Sequence, residues 1–454
     1  MGIFDRFRSA GQAADNGKNK ADTSEQDAIR LIDAGNAFEA ENRIEEAKWN
    51  YLDAIRLVPN LARAHLNYGN ILLLKGDLQG ALDAFRTAIK HKPDYAGAYY
   101  NMGNAMLGNG QYDEAVSSYR RALEIKPDYA EAHCSLGVAL RDLGQFEDAV
   151  ASYRRALEIK PDLVEAHYNL GMDLKSLGRL EDALANYRRT LELKPDYAEA
   201  HSNLGIALQA LGKLDSAVES YRRALELKPD FAEAHSNLGI ALQALGKPEA
   251  AVASYRRALE VKSDLFVAHN NLGNTLQDLG QFEDALASYR RALELKPDYA
   301  EAHSNLGVAL KEQGKLSEAE ACFRRALELK PDFAETHSNL LFILNYNDDL
   351  SPSYYLEQAR QYGRLVAGNV VTRFSAWQCA ARPERLRVGL VSGDLRVHSV
   401  GHFLEGLLSN IDSARIELIA YPTHHKEDEL TARIRPYFSA WKPLVGKRDA
   451  DAAR

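Results

Sequence analysis

Apolar and polar positions follow a helical period along most of this chain, and the pattern restarts every 34 residues. Alanines, leucines and aromatics recur three and four positions apart with charged residues between them, as in amphipathic helices that bury one face. Prolines at 59, 93, 127, 161, 195, 229, 297 and 331 mark the restarts, spaced by 34 residues or, across Ser263, by twice that. With this proline set at position 32, nine units run from about residue 28 to 333 and a partial tenth follows. Position 8 is glycine throughout, from Gly35 and Gly69 to Gly307; position 20 is alanine, from Ala47 to Ala319; position 24 is aromatic, as in Tyr51, Phe85, Tyr221 and Phe323. A glycine, a small residue and an aromatic plate at these offsets let two antiparallel helices approach closely and interlock. A second glycine, as in Gly76, Gly110, Gly144 and Gly314, ends the first helix of each pair, and Pro-Asp opens the next unit.

This signature is identified as that of the tetratricopeptide repeat, over about two thirds of the chain. One helix pair cannot bury its apolar face, so neighbours stack, and the small rotation between copies predicts a superhelix with a long concave surface. Position 6 reads Asn67, Asn101, Ser135, Asn169, Asn203, Asn237, Asn271, Asn305 and Asn339, which stacking sets out as a ladder. An amide both donates and accepts, so such a ladder can hold the backbone of an extended peptide with little regard for its side chains. The alternative is that each asparagine braces the neighbouring helix. The arrangement resembles the superhelical repeat domain of the O-GlcNAc transferases, which implies that Asn67, Asn101, Asn169, Asn203, Asn237, Asn271, Asn305 and Asn339 bind protein or peptide substrates in the concave groove.

Other recurrent residues read as structural. The histidines at position 4, from His65 and His133 to His337, stand one per unit and too far apart to share a metal, so packing is expected of them and no metal site is assigned. Paired arginines such as Arg120 and Arg121 travel with a glutamate in the next turn, Glu124, as on a solvated, ion-paired helix face. Gly205 to Lys213 imitates a phosphate loop, but six residues separate its glycines and Leu214 stands where Ser or Thr is needed.

After Leu344 the period ends. Residues 345–384 read as a polar joint followed by a linker with one helix, and residues 1–27 as a polar, flexible leader to the array at 28–344. From 385 to 454 the pattern changes to strand, helix, strand, helix. LRVGLVS at 386–392 reads as a buried parallel strand, His402 to Ser409 as a helix, Arg415 to Tyr421 as a second strand and Asp428 to Trp441 as a second helix. Ligands in such α/β units sit beyond the carboxyl ends of the strands, where the loop with Asp394 and His398 falls. An imidazole there can trade a proton near neutral pH, or simply sit in a loop.

RLRVGLVSGDLRVHSVGHFLEGLL, with YPTHHKEDELTARIRPYFSAW downstream, resembles the opening of the catalytic domain of the O-GlcNAc transferase and Spindly family. The resemblance implies a mainly α chain: a tetratricopeptide-repeat superhelix, an α-solenoid, followed by a partial α/β Rossmann-like segment, the first lobe of a GT-B glycosyltransferase. It implies that His398 is the active-site histidine, with Asp394 a weaker candidate, and that a nucleotide sugar is the donor substrate. UDP-GlcNAc is the first candidate; Arg396 and Val397 before the histidine and a Spindly-like His-Ser-Val keep GDP-fucose open. About 70 residues follow Pro383, enough for two β-α units, so the donor-binding lobe is expected in a longer parent and this chain is expected to keep the binding part.

Composition narrows the partners. A net charge of -8, from 56 Lys and Arg against 64 Asp and Glu, speaks against nucleic acid and anionic membrane as main partners. Three scattered cysteines, Cys134, Cys322 and Cys379, suit a reducing cytoplasm, and MGIFDRFRSAGQ lacks a secretory hydrophobic core. The competing reading is a non-enzymatic scaffold that assembles partners through protein-protein interactions; one specific version clamps a terminal carboxylate with cations on the first helices. Position 5 carries none, reading Leu66, Tyr100, Cys134 and Tyr168 in successive units.

Overall fold

The computed structural model describes residues 23–346, 350–368, 385–424 and 427–445. Residues 1–22 of the leader and 347–349 and 369–384 of the linker, with Cys379, lie outside the described residues. The chain divides into two units, one ending at Leu365 and one beginning at Val366.

The first unit is a solenoid of antiparallel helix pairs. Helix α1 spans residues 23–40, starting ahead of the repeat phase, and pairs with α2 (Ile44–Leu57). The following pairs repeat one plan: α3 (Ala62–Leu74) with α4 (Leu78–His91), α5 (Ala96–Gly108) with α6 (Tyr112–Ile125), α7 (Ala130–Asp142) with α8 (Phe146–Ile159), and α9 (Val164–Ser176) with α10 (Leu180–Leu193). Next come α11 (Ala198–Ala210) with α12 (Leu214–Leu227), α13 (Ala232–Ala244) with α14 (Pro248–Val261), α15 (Phe266–Asp278) with α16 (Phe282–Leu295), and α17 (Ala300–Glu312) with α18 (Leu316–Leu329). Each helix packs on its partner and on the next pair, as the 34-residue phase requires.

The signature residues carry this packing. The position-24 rings, Tyr119, Tyr153, Tyr187, Tyr255 and Tyr289 among them, are 0% exposed and lie over the position-8 glycines. A Cβ added at Gly205 would meet Tyr221 Cε1 at 2.7 Å, and one added at Gly273 would meet Tyr289 Cε1 at 2.5 Å. The turn glycines from Gly76 to Gly314 all have φ between 69° and 77°, a left-handed conformation that Asn42 takes in the first unit. Helix α19 (Ala334–Leu344) follows, and α20 (Pro352–Gly368), the helix read into the linker, packs Tyr354 and Tyr355 against the core of the array. Arg324 Nη1 donates to Tyr354 Oη at 2.7 Å.

In the second unit β1 (Leu386–Ser392), β2 (Ile416–Pro422) and β3 (Ala440–Trp441) form a parallel sheet in that order, with Val388 opposite Leu418 and Ala420 opposite Trp441. Helices α21 (Ser399–Leu408) and α22 (Glu429–Ile434) connect them. Leu395, Leu408, Leu418, Ala420, Leu430 and Ile434 make its core.

Two expectations are corrected here. The helix expected over 428–441 ends at Ile434, passes into a 3-10 turn at Arg435–Tyr437, and gives way to β3. Pro436 explains the break, because it has no N–H for the helical ladder and its ring crowds the preceding turn. The strand expected to be buried, β1, is an edge strand among the described residues, with Leu386 49% and Val391 64% exposed. A β-branched run reports β-propensity but not which position in the sheet the strand takes.

Candidate functional site

The position-6 asparagines fall on one row, one per first helix, and all eight are half-buried. Most are tied across the joint between repeats. Asn67 Nδ2 donates to Asn36 Oδ1 at 2.8 Å, and Asn101 Nδ2 to Asn70 Oδ1 at 2.7 Å. In later units a position-12 cation from the preceding repeat takes over: Arg141 Nη1 donates to Asn169 Oδ1 at 3.3 Å, Lys175 Nζ to Asn203 Oδ1 at 2.7 Å, and Lys311 Nζ to Asn339 Oδ1 at 3.1 Å. Asn305 Nδ2 donates to Asn270 Oδ1 at 3.0 Å, and Asn271 Oδ1 receives a long bond of 3.4 Å from Asn270. Asn237 has no hydrogen-bond partner among the described residues. Asn203 is fully engaged, its Nδ2 donating to Tyr168 Oη at 3.0 Å and to Glu199 O at 3.1 Å. Among the described residues Asn67, Asn101 and Asn305 each keep an unengaged Oδ1, so bracing and binding can coexist on one amide.

The cations of this face sit at position 12, as Arg141, Lys175 and Lys311, and not at position 5. Lys175 is half-buried, and burial pushes its ammonium below the ordinary lysine range. Its spacing of 28 residues from Asn203 was in the sequence all along, but only stacking shows that the two meet.

The position-4 histidines have a structural task. His65 Nε2 lies 2.8 Å from Pro59 O, His235 Nε2 3.0 Å from Pro229 O and His303 Nε2 2.9 Å from Pro297 O. A carbonyl only accepts, so each ring carries its proton on Nε2 and pins the turn before its own helix. The arginine pairs also resolve locally, with Arg121, Arg223 and Arg291 bonded to Glu124, Glu226 and Glu294 at 2.6, 2.8 and 2.7 Å on the exposed side.

In the α/β unit His398 stands at the N-cap of α21, and its Nδ1 accepts from Val400 N at 3.3 Å. Asp394 Oδ2 lies 3.7 Å from the same Nδ1. The neutral ring therefore caps the helix, while a protonated ring would exchange that bond for an ion pair with Asp394. In the neutral form Nε2 carries the proton. Both side chains are partly exposed, His398 by 44% and Asp394 by 37%.

The loop that presents His398 is held from two sides. Val397 N donates to Asp428 Oδ2 at 2.7 Å, and Thr431 Oγ1 donates to Leu395 O at 2.8 Å. Asp428 and Thr431 form a capping box at the start of α22. Burial pushes the Asp428 carboxyl up, but the N–H bonds from Val397 and Thr431 outweigh it and hold the group below its ordinary range. A Cβ at Gly401 would run into the Asp394 and Arg396 carbonyls, so α21 can approach this loop only as glycine. A cavity of about 230 Å³ opens beyond the carboxyl ends of the strands, lined by Gly393, Leu395, Pro422, His424, Thr431 and Trp441 among others. Trp441 Nε1 is buried there without an acceptor among the described residues. Asp428, Thr431 and Trp441 were not singled out from the sequence, although the Asp-x-x-Thr spacing is a legible capping signal.

Comparison with known proteins agrees with the array. Family profiles described as "TPR repeat" match residues 69–110, 173–212, 208–246 and 273–314; others described as "Tetratricopeptide repeat" match 100–163, 232–265 and 300–333. Together they cover more than half of the chain. No curated protein matches it. Among solved structures, MamA is 28% identical over 36% of this chain and 95% of its own, with a TM-score of 0.35. YrrB, described as a TPR protein with an unusual peptide-binding site, is 28% identical over 40% of this chain and 95% of its own, with a TM-score of 0.36. An O-GlcNAc transferase mutant from Thermobaculum terrenum is 31% identical over 49% of this chain and 42% of its own, with a TM-score of 0.38. Among the described residues no helix is long and apolar enough to cross a membrane.

Proposed function

Because this chain belongs to the tetratricopeptide-repeat proteins, we propose that its array captures extended segments of other proteins and delivers them to a protein O-glycosyltransferase centre begun by residues 385–454. The observation that carries the reading is the row of position-6 amides, most of them held in register by cross-repeat bonds, with hydrogen-bonding capacity left open at Asn67, Asn101 and Asn305 and at the unbonded Asn237. An extended backbone offers a donor and an acceptor per residue, which a regular row of amides can meet without reading side chains.

For the chemistry, the support is the motif resemblance around VSGDLRVHSVGHF and the position of His398 at a helix N-terminus just past β1. In this reading the full-length parent transfers a sugar from UDP-GlcNAc, or else GDP-fucose, to Ser or Thr hydroxyls. His398 orients the acceptor or sugar and stabilises developing charge, with Asp394 3.7 Å from its Nδ1. Loss of such a group costs about 10²- to 10⁴-fold in rate where proton transfer is involved.

The test is a transfer assay of the full-length parent and its His398→Ala variant with both donors on a protein acceptor. Transfer with one donor, lost in the variant, supports the reading. A parent inactive with both leaves a binding scaffold as the function, and an active parent whose variant keeps its rate removes His398 from the chemistry.

A further inference from the structure

Position 10 of the repeats is exposed at Ala37 in the first unit and buried in every later one, which makes it a contact between a repeat and the one before it. It is alanine in most units, isoleucine at 71 and 343, and Thr275 in the eighth, where the hydroxyl donates to Asn271 O at 2.9 Å. In the fifth unit it is Asp173. This side chain is 0% exposed, and neither carboxyl oxygen has a partner among the described residues.

Its surroundings are anomalous as well. The phenols of Tyr153 on α8 and Tyr187 on α10 are buried without partners, whereas Tyr119, Tyr221 and Tyr289 at the same repeat position donate to Asn104, Gln209 and Asn274. Positions 9 and 12 supply those acceptors elsewhere but are Val138 and Arg141, or Met172 and Lys175, here. The charges acting on Asp173 come from α7: Arg141, already shared between Asn169 and Asp142, and Asp142 itself. On its own helix Lys175 is turned to Asn203, and Asn203 of α11 bonds to Lys175 and Tyr168.

Stability in a solenoid is a sum of repeat and nearest-neighbour terms, so one weakened joint is where the stack opens. A carboxylate buried without a partner is among the costliest groups a joint can contain, and a neutral acid costs far less. We propose that the joint between repeats four and five is a pH-gated hinge. With Asp173 neutral the joint packs as its neighbours do; with Asp173 ionised, repeats one to four part transiently from those that follow, and Arg141 is drawn from Asn169 toward the new charge.

Burial pushes the Asp173 carboxyl up to about 6, with Arg141 opposing the rise and Asp142 adding to it. The folded joint thus holds this proton more tightly than the unfolded chain, whose aspartates titrate near ~3.9. The stabilisation is complete below that lower value and is lost as pH rises through about 6.

Hydrogen exchange of the full chain, read by mass spectrometry and corrected for intrinsic rates, tests this, with α11–α14 as the internal reference. Asp173→Ala, the residue most other units carry, should raise protection of α7–α10 at about pH 8 by roughly 10- to 100-fold over the parent, with the gain vanishing toward about pH 4. Asp173→Asn, which cannot ionise, should remove the pH dependence of these helices relative to α11–α14. Equal protection of parent and Asp173→Ala at the higher pH, or a gain that is the same at both, overturns the hinge.

Discussion

A single methyl group at residue 205 collides with a ring, since the Tyr221 edge already fills that space. Gly205→Leu should therefore force the α11–α12 pair apart and destabilise the array by about 1 to 3 kcal/mol. Thermal unfolding at the parent's temperature would contradict this. The glycine and its aromatic partner are sixteen positions apart in every unit, so this contact was legible from spacing. Asp173 was not, because a lone acid on an amphipathic helix reads as a solvent-facing residue until the neighbouring repeat covers it. His337 is a similar case: it keeps the position-4 identity of its kin, yet its Nε2 is buried without a partner and its ring faces Tyr362 of α20 at 6.0 Å. The last unit has a helix beside it that does not follow the repeat, and only the packing shows what that does to the histidine.

Among elements, the ladder poses the question of bracing against binding. Replacing Asn169, Asn203, Asn237 and Asn271 together by Ala should weaken capture of extended polypeptides by an order of magnitude or more, at about 0.5 to 1.5 kcal/mol per lost hydrogen bond. Three of these amides also bond within the protein, so the single variant Asn237→Ala separates the two roles. Fluorescence anisotropy with an extended peptide should show weaker binding for Asn237→Ala with an unchanged unfolding curve. Equal affinity in the quadruple variant would leave the row as bracing. At the other end of the chain, the apolar spacing at Leu430, Ile434 and Phe438 is compatible with one helix, and Pro436 interrupts it. Only Leu430 and Ile434 of that set lie on the helix; Phe438 falls beyond the 3-10 turn.

For the molecule as a whole, the repeat array and the α/β unit have separate hydrophobic cores. Leu430, 0% exposed, anchors the second of these units. Leu430→Ala should cost the α/β unit about 2 to 5 kcal/mol and loosen the capping box that holds the His398 loop. Calorimetry should show the transition of that unit shifted down and the transition of the array in place. A shift of both would mean that the units unfold as one. By itself the sequence determined the helix pairs, their phase, the row on which the asparagines stand and the strand that precedes His398. Those features rest on contacts within one repeat or one turn, where spacing along the chain dictates spacing in space. Only the tertiary structure decided which amides are clasped by Arg141 and Lys175, which acid is buried at a joint, and how Asp428 and Thr431 hold the histidine loop. Those contacts join residues some 28 to 36 positions apart, and the stacking of one element on another, which no local pattern encodes, sets which of them meet.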